Sequence, residues 1–408
     1  MKGIQCSRKL LAVITTAAAC ICVSAVCAIP SPDQQKLASA NTDFAFKLLQ
    51  EIAREQPGTN IFISPLSASS VLQMACNGAA GRTKTEMQRV LGTTNLQPAA
   101  LDEAYKDIQE SLNNRDTNVI LTTANALWYR KGTPVKPEFL ASCQRSYGAT
   151  IDGLNFDDPH SIEIMNGWAS EKTRGKINGI ADGLVNRLTQ LFLANAVYFK
   201  GKWEEPFDVK NTKDRVFHLR GAQQKKVPMM EQTRRFTYRR GTGYQAVRMA
   251  YQGWSLGMYI FLPDPSSSPE KLVGLMNGDT WRRITKPGFN EQQGTVAFPK
   301  FRIEYAVELK QPLKSLGMKS AFAEADLSGM SNEPLVISAV RQRTFVEVNE
   351  EGTEAAAATA VAADNEIELN PPKPFQMIVE RPFLFLIEDM ETNTILFMGI
   401  VFDPSAGS

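Results

Sequence analysis

Apolar positions along this chain recur with two different periods. Phe44, Leu48 and Ile52 fall four residues apart, which marks one face of an amphipathic helix. Ser64 followed by Pro65 predicts a second helix start, a capping hydroxyl ahead of a residue suited to the first turn. Residues 97–113 predict an acidic amphipathic helix and residues 137–147 another. Residues 119–129 are rich in β-formers, and residues 191–199 are almost continuously apolar, the mark of a strand covered on both faces. Further strands are expected at 256–263, 381–387 and 395–399, the last two joined by a hairpin turn at Glu391-Thr392-Asn393.

One stretch fits neither period well. Residues 350–365 follow the β-like Val346-Glu347-Val348 and precede Pro371-Pro372-Lys373-Pro374, which cannot continue a helix or a central strand. Nearly all of its residues are small. Propensity predicts an alanine helix starting near Thr353, but such a helix has no apolar face to bury. As a strand it makes more sense. Thr353, Ala355, Ala357 and Thr359 would face one way and Glu354, Ala356 and Ala358 the other. Small inward residues can slide between two existing strands without overpacking the layer beneath, and Gly352 supplies a hinge at little steric cost. The segment suits an exposed loop in one state and a central strand in another.

The run Glu350, Glu351, Gly352, Thr353, Glu354, Ala355, Ala356, Ala357, Ala358, Thr359 resembles the hinge of an inhibitory serpin. Other stretches resemble the same family in the same order: residues 60–67, 78–83, 166–168, 173–177, 195–207, 295–301, 326–330 and the two C-terminal strands. The likeness spans nearly the whole chain after the leader, without large insertions. It implies an α+β serpin fold of three β-sheets surrounded by about nine helices, as a single domain over residues 29–408 with a reactive loop at about 350–374. It also implies a role for five further residues. Ser64 and Ser67 would lie beneath the central sheet where it parts, Asn195 within that sheet, and Trp203 at the top where insertion begins. Ten residues ahead of Gly352, where the family commonly has a histidine, this chain has Gln342.

By this resemblance the protein is a suicide-substrate inhibitor of a serine-type protease, with a cysteine protease as a further option and a monomer expected. The cleaved bond usually follows the residue fourteen beyond the hinge glycine, here Glu366-Ile367. No Lys or Arg occurs between Gly352 and Lys373, so a trypsin-like target is not expected. Glu366 suits an acid-selecting pocket, Leu369 a chymotrypsin-like one, and Ala363 or Val361 an elastase-like one. The alternative is a non-inhibitory serpin that carries a ligand or acts by surface contact; its hinge would usually hold bulky, charged or proline residues.

Composition narrows the rest. With 408 residues, 43% hydrophobic and 22% charged, the chain can bury a sizeable core, and a formal charge of +2 gives no global attraction to nucleic acid or membranes. Lys2, Arg8 and Lys9 precede an apolar run over residues 10–26 that ends in small residues, which predicts a secretory signal peptide over 1–28, cut after Ala28. Of six cysteines, Cys6, Cys20, Cys22 and Cys27 would leave with it. Cys76 and Cys143 remain, expected as two separate thiols, with a disulfide as the alternative. The acidic Asp102, Glu103, Asp107 and Glu110 argue against glycosaminoglycan binding by residues 97–113. The basic residues between Arg220 and Arg240 are expected on a solvated strand face. Gly253-Trp254-Ser255-Leu256-Gly257 matches a hydrolase motif, but a nucleophile elbow needs a helix after the serine and here a strand is predicted. Only His160 and His218 occur, so no catalytic triad, metal site or cofactor is expected.

Overall fold

A computed structural model describes residues 30–113, 119–285, 288–352 and 373–406. The expected leader over 1–28 and residues 353–372 of the expected loop lie outside these. The helix foreseen around Phe44 is α1 (Pro32–Glu55). It begins well before its apolar stripe because Ser31 and Gln34 cap each other reciprocally, with Pro32 in the first turn. Along the chain follow α2 (Pro65–Asn77), α3 (Gly81–Leu91), α4 (Pro98–Asn113), α5 (Pro137–Tyr147), α6 (His160–Lys172), α7 (Pro269–Gly274), α8 (Gly278–Thr285) and α9 (Lys310–Leu316). The strands are β1 (Ile61–Ile63), β2 (Val119–Arg130), β3 (Thr150–Leu154), β4 (Leu191–Gly201), β5 (Lys213–His218), β6 (Gln224–Gly241), β7 (Tyr244–Ala250), β8 (Leu256–Pro263), β9 (Asn290–Pro299), β10 (Phe301–Glu308), β11 (Ile337–Val348), β12 (Phe375–Ile378), β13 (Phe383–Asp389) and β14 (Thr394–Val401).

Five strands form one sheet in the order β10-β11-β4-β2-β3. The other nine form a second, β1-β14-β13-β8-β7-β6-β9-β12 with β5 on β6. The expected third sheet is the β5-β6-β9-β12 end of this one. β6 is 18 residues long, pairs β5 and β9 along most of its length and β7 at its end, so the hydrogen bonding runs on without a break.

β4 has the two-sided burial that its apolar run predicts. Leu191, Leu193, Val197 and Phe199 enter the main core, while Phe192, Ala194, Ala196 and Tyr198 enter a second core on the opposite face. That second core lies under α6, whose Trp168 meets Trp128 of β2 edge-on at 5.1 Å. Both faces of the central sheet are thus covered, and a strand joining it must fit two packed layers.

Cys76 on α2 and Cys143 on α5 are free and fully buried. Burial pushes Cys76 up to about 11 and Cys143 up to about 12, with the Asp102 carboxylate acting in the same direction. At pH 8 a thiol of pKa about 11 is thiolate in only about one molecule per thousand, and the thiolate is the reactive form. The chain from residue 29 onward is therefore expected to resist a thiol-reactive dye when native and to take up two equivalents once unfolded. Fast labelling of either thiol in the native state would contradict this packing.

Candidate functional site

The site starts from a break in an apolar pattern. The inner face of β4 reads Leu191, Leu193, Asn195, Val197, Phe199, so one amide stands in a row of hydrocarbon. The strand register sets Asn195 opposite Asn125 of β2 on one side and Gln342 of β11 on the other. The three amides form a row across the sheet: Asn195 Nδ2 donates to Asn125 Oδ1 at 2.8 Å, and Gln342 Nε2 donates to Asn195 Oδ1 at 2.7 Å. All three are buried. At one end Asn125 donates to Ser70 Oγ at 3.2 Å. At the other, Gln342 holds both backbone groups of Ser64, accepting its N–H at 3.0 Å and donating to its carbonyl at 2.9 Å.

Ser64 does begin α2, but its hydroxyl is not the expected cap. It donates to the Leu396 carbonyl of β14 at 2.8 Å and lies 3.0 Å from Ser67 Oγ. Thr344, two residues beyond Gln342, donates to the Phe62 carbonyl at 2.6 Å. The row therefore ties the five-stranded sheet to α2 and through it to the nine-stranded sheet. In place of the family's histidine, Gln342 donates and accepts at once, as an amide can.

Ten residues past Gln342, roughly 33 Å along an extended strand, the chain reaches Gly352 and a second cluster. Trp203 is fully buried, stacks on Tyr251 at 4.7 Å and donates from Nε1 to the Asn349 carbonyl at 3.0 Å. Its backbone N–H donates to the Glu351 carbonyl at 2.9 Å, and Phe207 N–H to the Glu350 carbonyl at 2.7 Å. Gly352 pairs with Lys202 and with Asn349. Its φ is +132°, and a Cβ there would lie 2.2 Å from the Gly201 carbonyl oxygen, so only glycine fits this close approach.

Glu350 is 5% exposed and its carboxylate takes Thr212 Oγ1 at 2.7 Å and Lys300 Nζ at 2.9 Å. Burial acts to raise its pKa, but the bonds from Thr212 and Lys300 outweigh it and hold the carboxyl below its ordinary value. A carboxylate with a depressed folded pKa stabilises the fold above its unfolded pKa, and that contribution is lost as pH falls through the folded value. Acidification below the ordinary glutamate range, about 4.5, should therefore loosen the loop base. Glu350→Gln is expected to be less stable than wild type at pH 7 and to show a shallower acid limb in melting temperature between pH 5 and 3. An unchanged limb would rule out Glu350 as its source.

Of the residues singled out from the sequence, the structure brings Ser64, Ser67, Asn195 and Gln342 together at the seam, and Trp203, Glu350, Glu351 and Gly352 at the loop base. Thr353, Glu354, Ala355, Ala356, Ala357, Ala358, Thr359, Glu366 and Ile367 lie outside the described residues. Ser255 sits in the turn between β7 and β8, and the strand after it rules out an elbow. Four of the basic residues between Arg220 and Arg240 are ion-paired: Arg220 with Glu270, Lys225 with Asp403, Arg234 with Glu205 and Arg240 with Asp264. Asn125, Ser70, Thr344, Thr212 and Lys300 were not foreseen. Asn125 carried a weaker signal than Asn195, since Thr122 and Thr123 already break the apolar pattern of its strand.

The family model for Serpin (serine protease inhibitor) matches residues 39–404. The leukocyte elastase inhibitor of Bos taurus is 36% identical over 382 residues, covering 91% of this chain and all of that protein. Among solved structures, a highly specific serpin of the insect Tenebrio molitor superposes with a TM-score of 0.79 at 31% identity, covering 91% of this chain and 99% of that one. Human thyroxine-binding globulin, complexed with its hormone, gives 0.83 at 28% identity with the same coverage. With the five-stranded sheet, the amide row and the glycine-hinged loop base on the same chain, the protein belongs to the serpin family.

Proposed function

We propose that this protein is a secreted inhibitor of serine-type endopeptidases that acts as a suicide substrate. The observation that carries this reading is the seam itself. β11 and β4 lie parallel and directly paired, and the chain leaves β11 through a hinge glycine at the end where β4 also stops. A segment turning back at Gly352 would run antiparallel to both strands, and the small residues after it suit the gap between the two packed layers. A protease cutting the loop would free that segment to insert and would be carried with it as an acyl-enzyme.

Hydrogen bonding alone would not drive insertion. Each backbone bond contributes about 0.5–1.5 kcal/mol net, while ordering each residue costs about 1–2 kcal/mol. The drive comes from a sheet that repacks on insertion, and the native state persists because the seam must first break its amide row and lift against α6. The cleaved bond is Glu366-Ile367 by register. The likeness to leukocyte elastase inhibitors favours two other positions, cleavage after Val361 or after Ala363.

The test is incubation of the mature protein with acid-, leucine- and alanine-selective proteases, followed by denaturing gels and mass mapping of the cut. An SDS-stable complex with cleavage after Glu366 is expected. A cut without a complex, and without a rise in melting temperature, would favour the carrier reading that the likeness to thyroxine-binding globulin supports. Secretion rests on the residue pattern over 1–28; N-terminal sequencing of exported protein should begin at Ile29.

A further inference from the structure

Where β11 ends, its last residues line a cleft of about 440 Å³. Its other walls come from the start of β6, the β9–β10 junction, and Pro404 and Ser405 near the C-terminus. That volume lies within the usual span of small-molecule sites, about 300–1,000 Å³. Three cations line it from separate places in the chain: Lys226 of β6, Lys300 between β9 and β10, and Arg302 of β10. Lys226 and Arg302 form no ion pair among the described residues, in contrast to the paired Arg220, Lys225, Arg234 and Arg240. Arg302 instead rests its guanidinium over the Phe345 ring at 5.0 Å, which positions the charge without neutralising it.

One carboxylate lines the cleft as well, Glu347, which stands opposite Arg302 in the β10–β11 register. Lys300 is already engaged, its Nζ 2.9 Å from Glu350 Oε2 at the loop base. Even with both glutamates counted, the cluster keeps a net positive charge. Cations gathered in a concavity with low-dielectric walls attract an anion more strongly than the same charges on open surface. The rest of the wall is largely hydrocarbon, from Val227, Pro228, Phe301 and Val348. Sulfate or phosphate would leave those faces in water, whereas an anion with a carbon frame covers them.

We propose that this cleft binds a small organic polycarboxylate, its carboxylates on Lys226, Lys300 and Arg302 and its carbon frame on the apolar wall. Lys300 gives the site a consequence. The ligand and Glu350 draw on one ammonium, so each weakens the other's hold on it, and the coupling is reciprocal. Occupancy therefore loosens the Glu350 anchor of the loop base. The proposal concerns the native chain alone and does not rest on the inhibitory reading.

The experiment is equilibrium dialysis of the chain from residue 29 onward against radiolabelled tricarballylate, a compact tricarboxylate, at constant ionic strength in chloride. One saturable site is expected, and sulfate should compete for it at least tenfold more weakly. Lys226→Gln combined with Arg302→Gln should lower the affinity tenfold or more. Both side chains are exposed, so the melting temperature without ligand should stay near that of wild type. Glu350→Gln, measured well below its own melting temperature, should bind threefold or more tightly, because Lys300 is then released to the ligand. No saturable uptake by wild type, or an equal affinity in the double variant, would overturn the site. Sulfate competing as well as the unlabelled tricarboxylate would overturn the choice of a carbon-framed ligand. An affinity in Glu350→Gln that is unchanged or weaker would overturn the coupling to the loop base.

Discussion

Gln342→Leu is expected to lower native stability by about 3–5 kcal/mol, because it strands three buried polar groups that each cost about 1–3 kcal/mol when left unpaired. Those groups are the Ser64 N–H, the Ser64 carbonyl and Asn195 Oδ1. Leucine is close enough in size to fill the space, so the loss is one of hydrogen bonding and not of packing. On the proposed mechanism it falls where the sheet would part. If the amide row is already broken in the transition state for opening, the substitution raises the native state and leaves that transition state unchanged, so the barrier falls by nearly the whole loss. About 3 kcal/mol then speeds spontaneous opening by roughly a hundredfold. The measurements are the urea midpoint and the half-life of the native conformer on native gels at 37 °C.

Gln342→His separates the hydrogen bonds from the space they occupy. A neutral imidazole has one donor and one acceptor, so it cannot serve all three groups as the amide does. A smaller loss is expected than for leucine, now with a pH dependence. Protonation removes the acceptor that the Ser64 N–H needs and charges a buried site, which depresses the folded pKa. Stability should therefore fall as the pH drops below about 6.5. If Gln342→Leu matched wild type in both midpoint and half-life, the row would not be the lock on the sheet.

What the sequence disclosed follows from which physics is local. The continuous apolar run at residues 191–199 announced a strand buried on two faces, because each face needs its own hydrophobic set. Nothing local to Asn195 names its partners: Asn125 is 70 residues away and Gln342 147 residues away, the strand register brings them together, and only the resemblance led to the expectation of Gln342 near Asn195 and Ser64. The same limit hid the Lys300 and Thr212 partners of Glu350. Ser64 shows the opposite failure. Its local signal was right about where α2 begins and wrong about its hydroxyl, because the Leu396 carbonyl from the neighbouring sheet captures it. The three sheets were expected from the resemblance, and what the sequence did not mark is that β6, 18 residues long, carries the hydrogen bonding of the second sheet into the third without a break.

Gly352→Val should release the loop base and lower native stability by a comparable amount. The new Cβ would lie 2.2 Å from the Gly201 oxygen, 2.6 Å from Lys202 Cα and 2.6 Å from Trp203 N, all backbone atoms that no rotamer change can move aside. Relief requires the segment to lift off Lys202, which gives up the Asn349–Gly352 pair and the Trp203–Glu351 bond. Each lost bond costs about 0.5–1.5 kcal/mol, and holding a β-branched residue at positive φ costs about 1–3 kcal/mol more. The total is about 3–5 kcal/mol, with Gly352→Ala somewhat lower because alanine lacks the branch. Trp203 reports the event directly: buried against Tyr251 in the wild type, it should emit at longer wavelength once the base detaches. The consequence for trapping runs the other way from the loss in stability. A freed hinge starts to insert more readily, but a branched side chain entering between β11 and β4 must fit beside layers already packed on both faces, and insertion slows. On the inhibitory reading proposed above, more loops should then be cut without capture, raising the number of inhibitor molecules consumed per protease trapped. An unshifted Trp203 emission with unchanged stability would show that the base does not depend on glycine at this position, and that the hinge lies elsewhere.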